Sequence, residues 1–299
     1  MIRDKDTENI IMNYNLYVWE NRFSQRNIKA WFNNFKGEVS NADEEQEIAL
    51  KLLLNFIYYN EREVKYLCKS AYSIFQNEII KEFILEGHSI DEAKSLFNEY
   101  LKRYKFSHIG RPSESGCFIL YYFRQINGLP LSFFLERWDD IKENTESLIL
   151  MDDFLGTGDT AVLFWESSII QNIIKNSQIK LYYMVLSALE IGFNKVKANT
   201  NFKIICPQIF GEEYRVFSNS SFIFPQEEKK ESAKKVCEFY GNNLEGGECA
   251  LGYKGSEALL GFHHNIPNNT LPVIWSDKKG WFPLFPRENK IYKMGDINE

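Results

Sequence analysis

Apolar positions in the first hundred residues recur at helical spacing. Ile48, Leu52, Leu53, Phe56 and Ile57 form one stripe behind the acidic run Asp43, Glu44 and Glu45, whose charges suit the positive end of a helix dipole. Val64, Leu67, Cys68, Ala71 and Phe75 form a second stripe, with Asn60 placed as its N-cap. Gly87 offers a stop, and Ser89 with Glu92 spells a capping box for a helix carrying Ala93, Leu96, Phe97 and Leu101. The pattern predicts a helical region over residues 1–103, in which Trp19, Trp31, Phe32, Phe35, Tyr58, Tyr59 and Tyr72 serve as packing.

From Tyr104 the rhythm changes to short apolar stretches separated by Gly-containing loops and helix-length segments, the pattern of βα units with a mostly parallel sheet. Strands are expected over 105–109, 132–135, 147–151, 180–188 and 202–206, with helices over 117–125 and 161–176. This α/β core is expected to span 104–225 and a small C-terminal hood 226–299. Ligands of such sheets gather at the carboxyl ends of the strands. The stretch 227–235 mixes Lys and Glu and reads as a solvated helix face.

With 299 residues, 44% of them hydrophobic, the chain buries a full globular core. No 20–50-residue period repeats, which excludes solenoids. The apolar run 52–57 is far shorter than the roughly 20 residues that span a bilayer, so no membrane role is expected. A formal charge of -6 disfavours a protein that coats nucleic acid. The start at Met1, Ile2, Arg3 and Asp4 lacks the apolar stretch of a secretory signal, and the expected address is the cytoplasm. Cys68, Cys117, Cys206, Cys237 and Cys249 are odd in number and widely spaced, which argues against disulfides and structural zinc.

One segment concentrates chemistry. An apolar strand ending in Leu150 and Met151 delivers Asp152 and Asp153, and the loop Gly156, Thr157, Gly158, Asp159, Thr160 runs straight into a helix. Backbone N–H groups, two threonine hydroxyls and a helix start then converge on one spot, which is how a phosphate is cradled. The adjacent carboxylates beside that cradle suit ribose hydroxyls or hydrated Mg²⁺. The plain alternative is a buried strand ending in an ordinary Asp/Gly turn. Asp159 places a negative charge beside the expected phosphate, which weakens that site unless its side chain turns out to solvent or caps the helix.

At these residues the sequence resembles the type I phosphoribosyltransferase superfamily, whose signature is an apolar strand, two acidic residues, two apolar residues and a Thr-Gly-x-Thr loop. The resemblance implies that 156–160 binds the 5′-phosphate of phosphoribosyl pyrophosphate and that Asp152 and Asp153 hold the ribose, with Mg²⁺ bound to them through water. Gly156 stands where 6-oxopurine transferases carry a base-contacting Asp, so salvage of hypoxanthine or guanine is not expected. The family also keeps a pyrophosphate loop after an earlier strand. Gly110, Arg111, Ser113, Ser115 and Gly116 follow the 105–109 strand in that order, and Arg111 is the cation to meet the leaving pyrophosphate; the alternative is a serine-capped βα turn. The segment 136–146 occupies the place of the family's mobile catalytic loop with only Arg137 and Lys142 as cations.

Near the carboxyl end, His263, His264, Asn265, Asn268, Asn269 and Trp275 supply hydrogen-bonding groups and a stacking plane, the parts of a base pocket, with His264, Asn265, Asn269 and Trp275 as its candidates. The alternative is a turn-rich segment with Trp275 in the core. If 263 and 264 lie in a strand, their side chains point to opposite faces. With the helical front, this segment looks like the phosphoribosyltransferase-like effectors of bacterial antiphage systems, encoded beside reverse transcriptases in retrons. That resemblance implies an effector restrained by a reverse transcriptase and its nucleic acid. A rival is an inactive nucleotide-sensing or protein-interaction module that kept the phosphate loop.

Overall fold

A computed structural model describes residues 5–110, 115–138 and 141–287. The chain begins with helices α1 (Lys5–Tyr17), α2 (Gln25–Phe32) and α3 (Ala42–Leu54) and the short strand β1 (Ile57–Tyr59). It continues through α4 (Glu61–Leu85), α5 (Ile90–Tyr100), β2 (Tyr104–His108), α6 (Ser115–Asn127), β3 (Ser147–Leu155), α7 (Asp159–Trp165) and α8 (Ser168–Asn176). Strand β4 (Lys180–Leu189), α9 (Glu190–Asn199), β5 (Lys203–Ile205) and β6 (Gln208–Phe210) follow, and α10 (Glu227–Leu244), β7 (Leu260–Phe262) and α11 (Pro272–Trp275) close the series. No helix among the described residues is long and apolar enough to cross a membrane.

These elements form two compact units, one of Met1–Glu61 with Glu212–Glu299, the other of Arg62–Gly211. The three consecutive segments expected from the sequence are therefore regrouped. In the first unit the two ends of the chain share one core, in which Trp19, Trp31, Phe35, Tyr240, Trp275 and Phe285 are buried together. Parallel pairing of β1 with β7 ties the two ends. The front aromatics are packing, as their burial at Trp19, Trp31, Phe32, Phe35 and Tyr58 shows.

The second unit is the α/β core. Its sheet is parallel throughout, in the order β2-β3-β4-β5, with β6 also on β4. The residues expected as a strand over 132–135 fold into a 3₁₀ turn at Leu131–Phe133, and only Phe134 bridges Phe106, on the edge of β2 away from β3. The chain thus leaves β2 toward one edge, then jumps back over it to β3. Connections depart to opposite sides at that junction, which makes the carboxyl ends of β2 and β3 a topological switch point, the usual crevice for a ligand in such sheets. Pro207, which has no N–H to give a ladder, separates β5 and β6 along the same edge of β4.

Both faces of the sheet are covered, as a parallel sheet requires. Leu148, Leu150, Tyr183, Val185, Val196 and Phe202 build the core on one face. On the other, the Phe75 ring of α4 meets Tyr104, Phe106 and Tyr182 edge-on, and Phe123 of α6 meets Phe106. This explains why α4 and α5 belong to the sheet unit rather than to a separate helical front: α6 alone leaves that face open. The expected capping box at Ser89 and Glu92 opens α5. The expected helix 161–176 is two, α7 and α8, because Ser167 caps a fresh start.

Candidate functional site

Strand β3 runs through the acidic pair to Leu155, so Asp152 and Asp153 lie in its carboxyl-terminal half. Their carboxyls lie close enough to share a side-chain hydrogen bond. Asp152 pairs in register with Val185 of β4. Its Oδ1 accepts the N–H of Asp153 at 2.9 Å, and its Oδ2 accepts the hydroxyl of Tyr183 at 3.4 Å. Burial, and then the charge of Asp153, pushes the Asp152 carboxyl well above the usual carboxylate range. The same burial, with the nearby Asp152 charge, keeps the Tyr183 phenol protonated and therefore a donor. Asp153 is 5% exposed.

The loop after β3 takes a tight left-handed turn at Gly158, where φ is +82°, and α7 begins at the next residue with no side chain capping it. Gly158 at the N-cap brings no side chain to accept the N–H groups of that first turn. Asp159 does not turn out to solvent: its side chain, 17% exposed, pairs with Lys195 of α9, and its Oδ2 accepts the Thr157 hydroxyl at 2.9 Å. The Thr157 hydroxyl is thereby spent inside the loop. The floor beneath is Gly192 of α9, where a Cβ would stand 2.1 Å from the Gly156 carbonyl oxygen. Only a glycine lets the helix touch the loop so closely.

Of the earlier loop, Gly110 follows β2 with a positive φ, and Ser115 and Gly116 open α6. A Cβ on Gly116 would stand 2.9 Å from the Cβ of His108, so α6 starts directly against the end of β2. Arg111 and Ser113 lie outside the described residues. The fold therefore brings the starts of α6 and α7, each following one of two adjacent strands, to the switch point, and sets Asp152 and Asp153 on β3 between them.

The residues proposed for a base pocket lie in the other unit. His263 and His264 occupy a turn closed by the Phe262–Asn265 bridge, so strand alternation does not apply to them; their rings stand 5.0 Å apart. His264 and Asn265 are half-buried. Asn269 is buried and donates to Ser256, and Trp275 is buried with its indole N–H donating to the Thr270 carbonyl at 2.8 Å.

Sequence reasoning missed Tyr183, Gly192 and Lys195. A glycine inside a helix is the one local sign of close approach, and Gly192 carries it; Tyr183 and Lys195 carry no local sign. Among the described residues, no group of three or more His, Cys, Asp or Glu could hold a metal. A Mg²⁺ fits the adjacent carboxylates only through water and with a ligand's oxygens completing its shell.

A family model described as PRTase-CE matches residues 28–287, nearly the whole chain and parts of both units. No curated protein and no solved structure matches.

Proposed function

The chain belongs to the PRTase-CE family, a phosphoribosyltransferase-like family, and on that premise we propose that it binds a 5-phosphoribosyl ligand, either phosphoribosyl pyrophosphate or a nucleoside 5′-phosphate. The single observation that carries this reading is the adjacency, at one switch point, of an uncapped glycine turn and a carboxylate pair on the strand leading into it. The 156–160 loop takes the 5′-phosphate on its N–H groups. Asp153 and Asp152 take the ribose hydroxyls, and the Tyr183 hydroxyl fixes the plane of the Asp152 carboxyl. Mg²⁺, held through water by Asp152 and Asp153, would neutralise a pyrophosphate as it leaves. Ser115 and Gly116 offer that pyrophosphate the N–H groups of the α6 start, with Arg111 as its cation. The proposed setting is a cytoplasmic effector of an antiphage defence system, restrained by a reverse transcriptase and its nucleic acid.

A second reading, binding without transfer, is favoured by the paucity of cations in 136–146, where Arg137 and Lys142 stand alone. Calorimetric titration separates the possibilities. The wild-type protein should bind phosphoribosyl pyrophosphate with Mg²⁺ and a nucleoside 5′-monophosphate. The double variant D152N/D153N should lose about tenfold or more in affinity for both, yet still take inorganic phosphate, because the ribose contacts go and the loop stays. Wild-type protein that binds none of these would sink the reading. Retained binding with no pyrophosphate released in the presence of nucleobases would select the second.

A further inference from the structure

An aspartate in the middle of a phosphate loop repels the ligand the loop is shaped for. Asp159 is such a residue, and three observations show how the fold answers it. Its carboxylate pairs with the Lys195 ammonium. Its other oxygen holds the Thr157 hydroxyl at 2.9 Å. Gly192 and Val196, flanking Lys195 on α9, lie against Gly156 and Gly158, so the helix carrying the cation is the floor of the loop itself. The Asp159 side chain is 17% exposed and that of Lys195 40%. The carboxylate is thus screened while the ammonium, with three donors, still reaches solvent.

We propose that Lys195 is the positioning residue that makes the 156–160 loop competent for a phosphate monoester: its ammonium cancels the Asp159 charge and, by fixing Asp159, holds Thr157 in the loop conformation. The proposal rests on the reading of this loop as the phosphate site. With the pair formed, the loop presents N–H groups and a neutral couple to the incoming dianion. Without Lys195, an unscreened carboxylate faces that dianion at close range, where charges interact more strongly than in bulk water.

The test is titration of inorganic phosphate and of a nucleoside 5′-monophosphate into wild-type, K195Q, K195R, D159N and K195Q/D159N proteins, with a melting curve for each. K195Q should weaken both ligands about tenfold, and K195R should restore most of that loss. D159N should bind more tightly than wild type, since its lysine is released to the ligand. The double variant should recover to within about threefold of wild type, because the charge that Lys195 opposed is gone. A purely structural ion pair gives another pattern: D159N loses binding as K195Q does, and the double variant is no better than either. That pattern, or K195Q binding like wild type while wild type binds well, overturns the proposal. If wild-type protein takes up neither ligand, the phosphate reading of the loop fails, and this proposal with it.

Discussion

Asp152 carries a cost that the ligand-free protein must meet. Burial and the neighbouring Asp153 raise its folded pKa well above the ordinary 3.8. Between that ordinary value and the folded value, the native state keeps a proton that the unfolded chain has released. Stability is therefore complete below the ordinary value and is lost as pH rises through the folded one. Asp152→Asn removes the charge at nearly constant shape. It should raise the ligand-free Tm at pH 7 by about 2–4 °C, the shift that ~1 kcal/mol produces in a protein of roughly this size, and the gain should vanish near the ordinary carboxylate value. Scanning calorimetry across pH checks this; a gain equal at every pH would assign the effect to packing rather than charge. The residue expected to weaken ligand binding when replaced is thus also expected to stabilise the empty fold, the usual trade at a binding site.

Elements of the first unit are joined by a carboxylate with the opposite balance. Glu45 of α3 is fully buried, and it accepts the N–H groups of Gly37 and Val39, each at 2.8 Å, and of Ser40 at 3.2 Å. The hydroxyl of Tyr240 on α10 donates to it at 2.6 Å. Burial by itself raises the Glu45 pKa, but these donors outweigh it, and the folded value lies below the ordinary 4.5. The sign is now reversed: its contribution is present above the ordinary value and is lost as pH falls through the folded one. Glu45→Ala leaves three partly buried backbone donors and a buried phenol without this acceptor, which should cost about 2–3 kcal/mol in denaturant unfolding at pH 7. Glu45→Gln keeps one acceptor oxygen and should cost less. Equal losses would show that the site needs only the charge.

Across the whole molecule, the continuous segment Arg62–Gly211 owns a sheet covered on both faces, while the other unit is closed by the two ends of the chain. A stretch of this length with its own core is of the size that folds alone. Residues 62–211 expressed as a fragment should melt cooperatively and bind inorganic phosphate with an affinity close to that of the full chain, because Gly158, Asp159, Gly192 and Lys195 all lie inside it. A cooperative melt without phosphate binding would show that the loop needs the first unit; no cooperative melt would show that the sheet does.

What the sequence determined by itself was local. Capping chemistry at Ser89 and Glu92, the strand leading to Asp152, the glycine turn at 158 and the parallel βα rhythm are set by neighbours within a few residues, and the structure has them where the pattern puts them. Membership of the helices α4 and α5 was not local. Periodicity marks an apolar face without saying what covers it, and only the sheet's need for cover on its second face draws Phe75 onto Tyr104, Phe106 and Tyr182. The same holds for the strand expected over 132–135, reduced to one bridge at Phe134, and for the union of the chain's ends through β1 and β7. At the site, the residue types in 152–160 announced their chemistry. Tyr183 and Lys195 reach that site from a neighbouring strand and a helix, and their partners are decided by register and packing, quantities that arise only when distant segments meet.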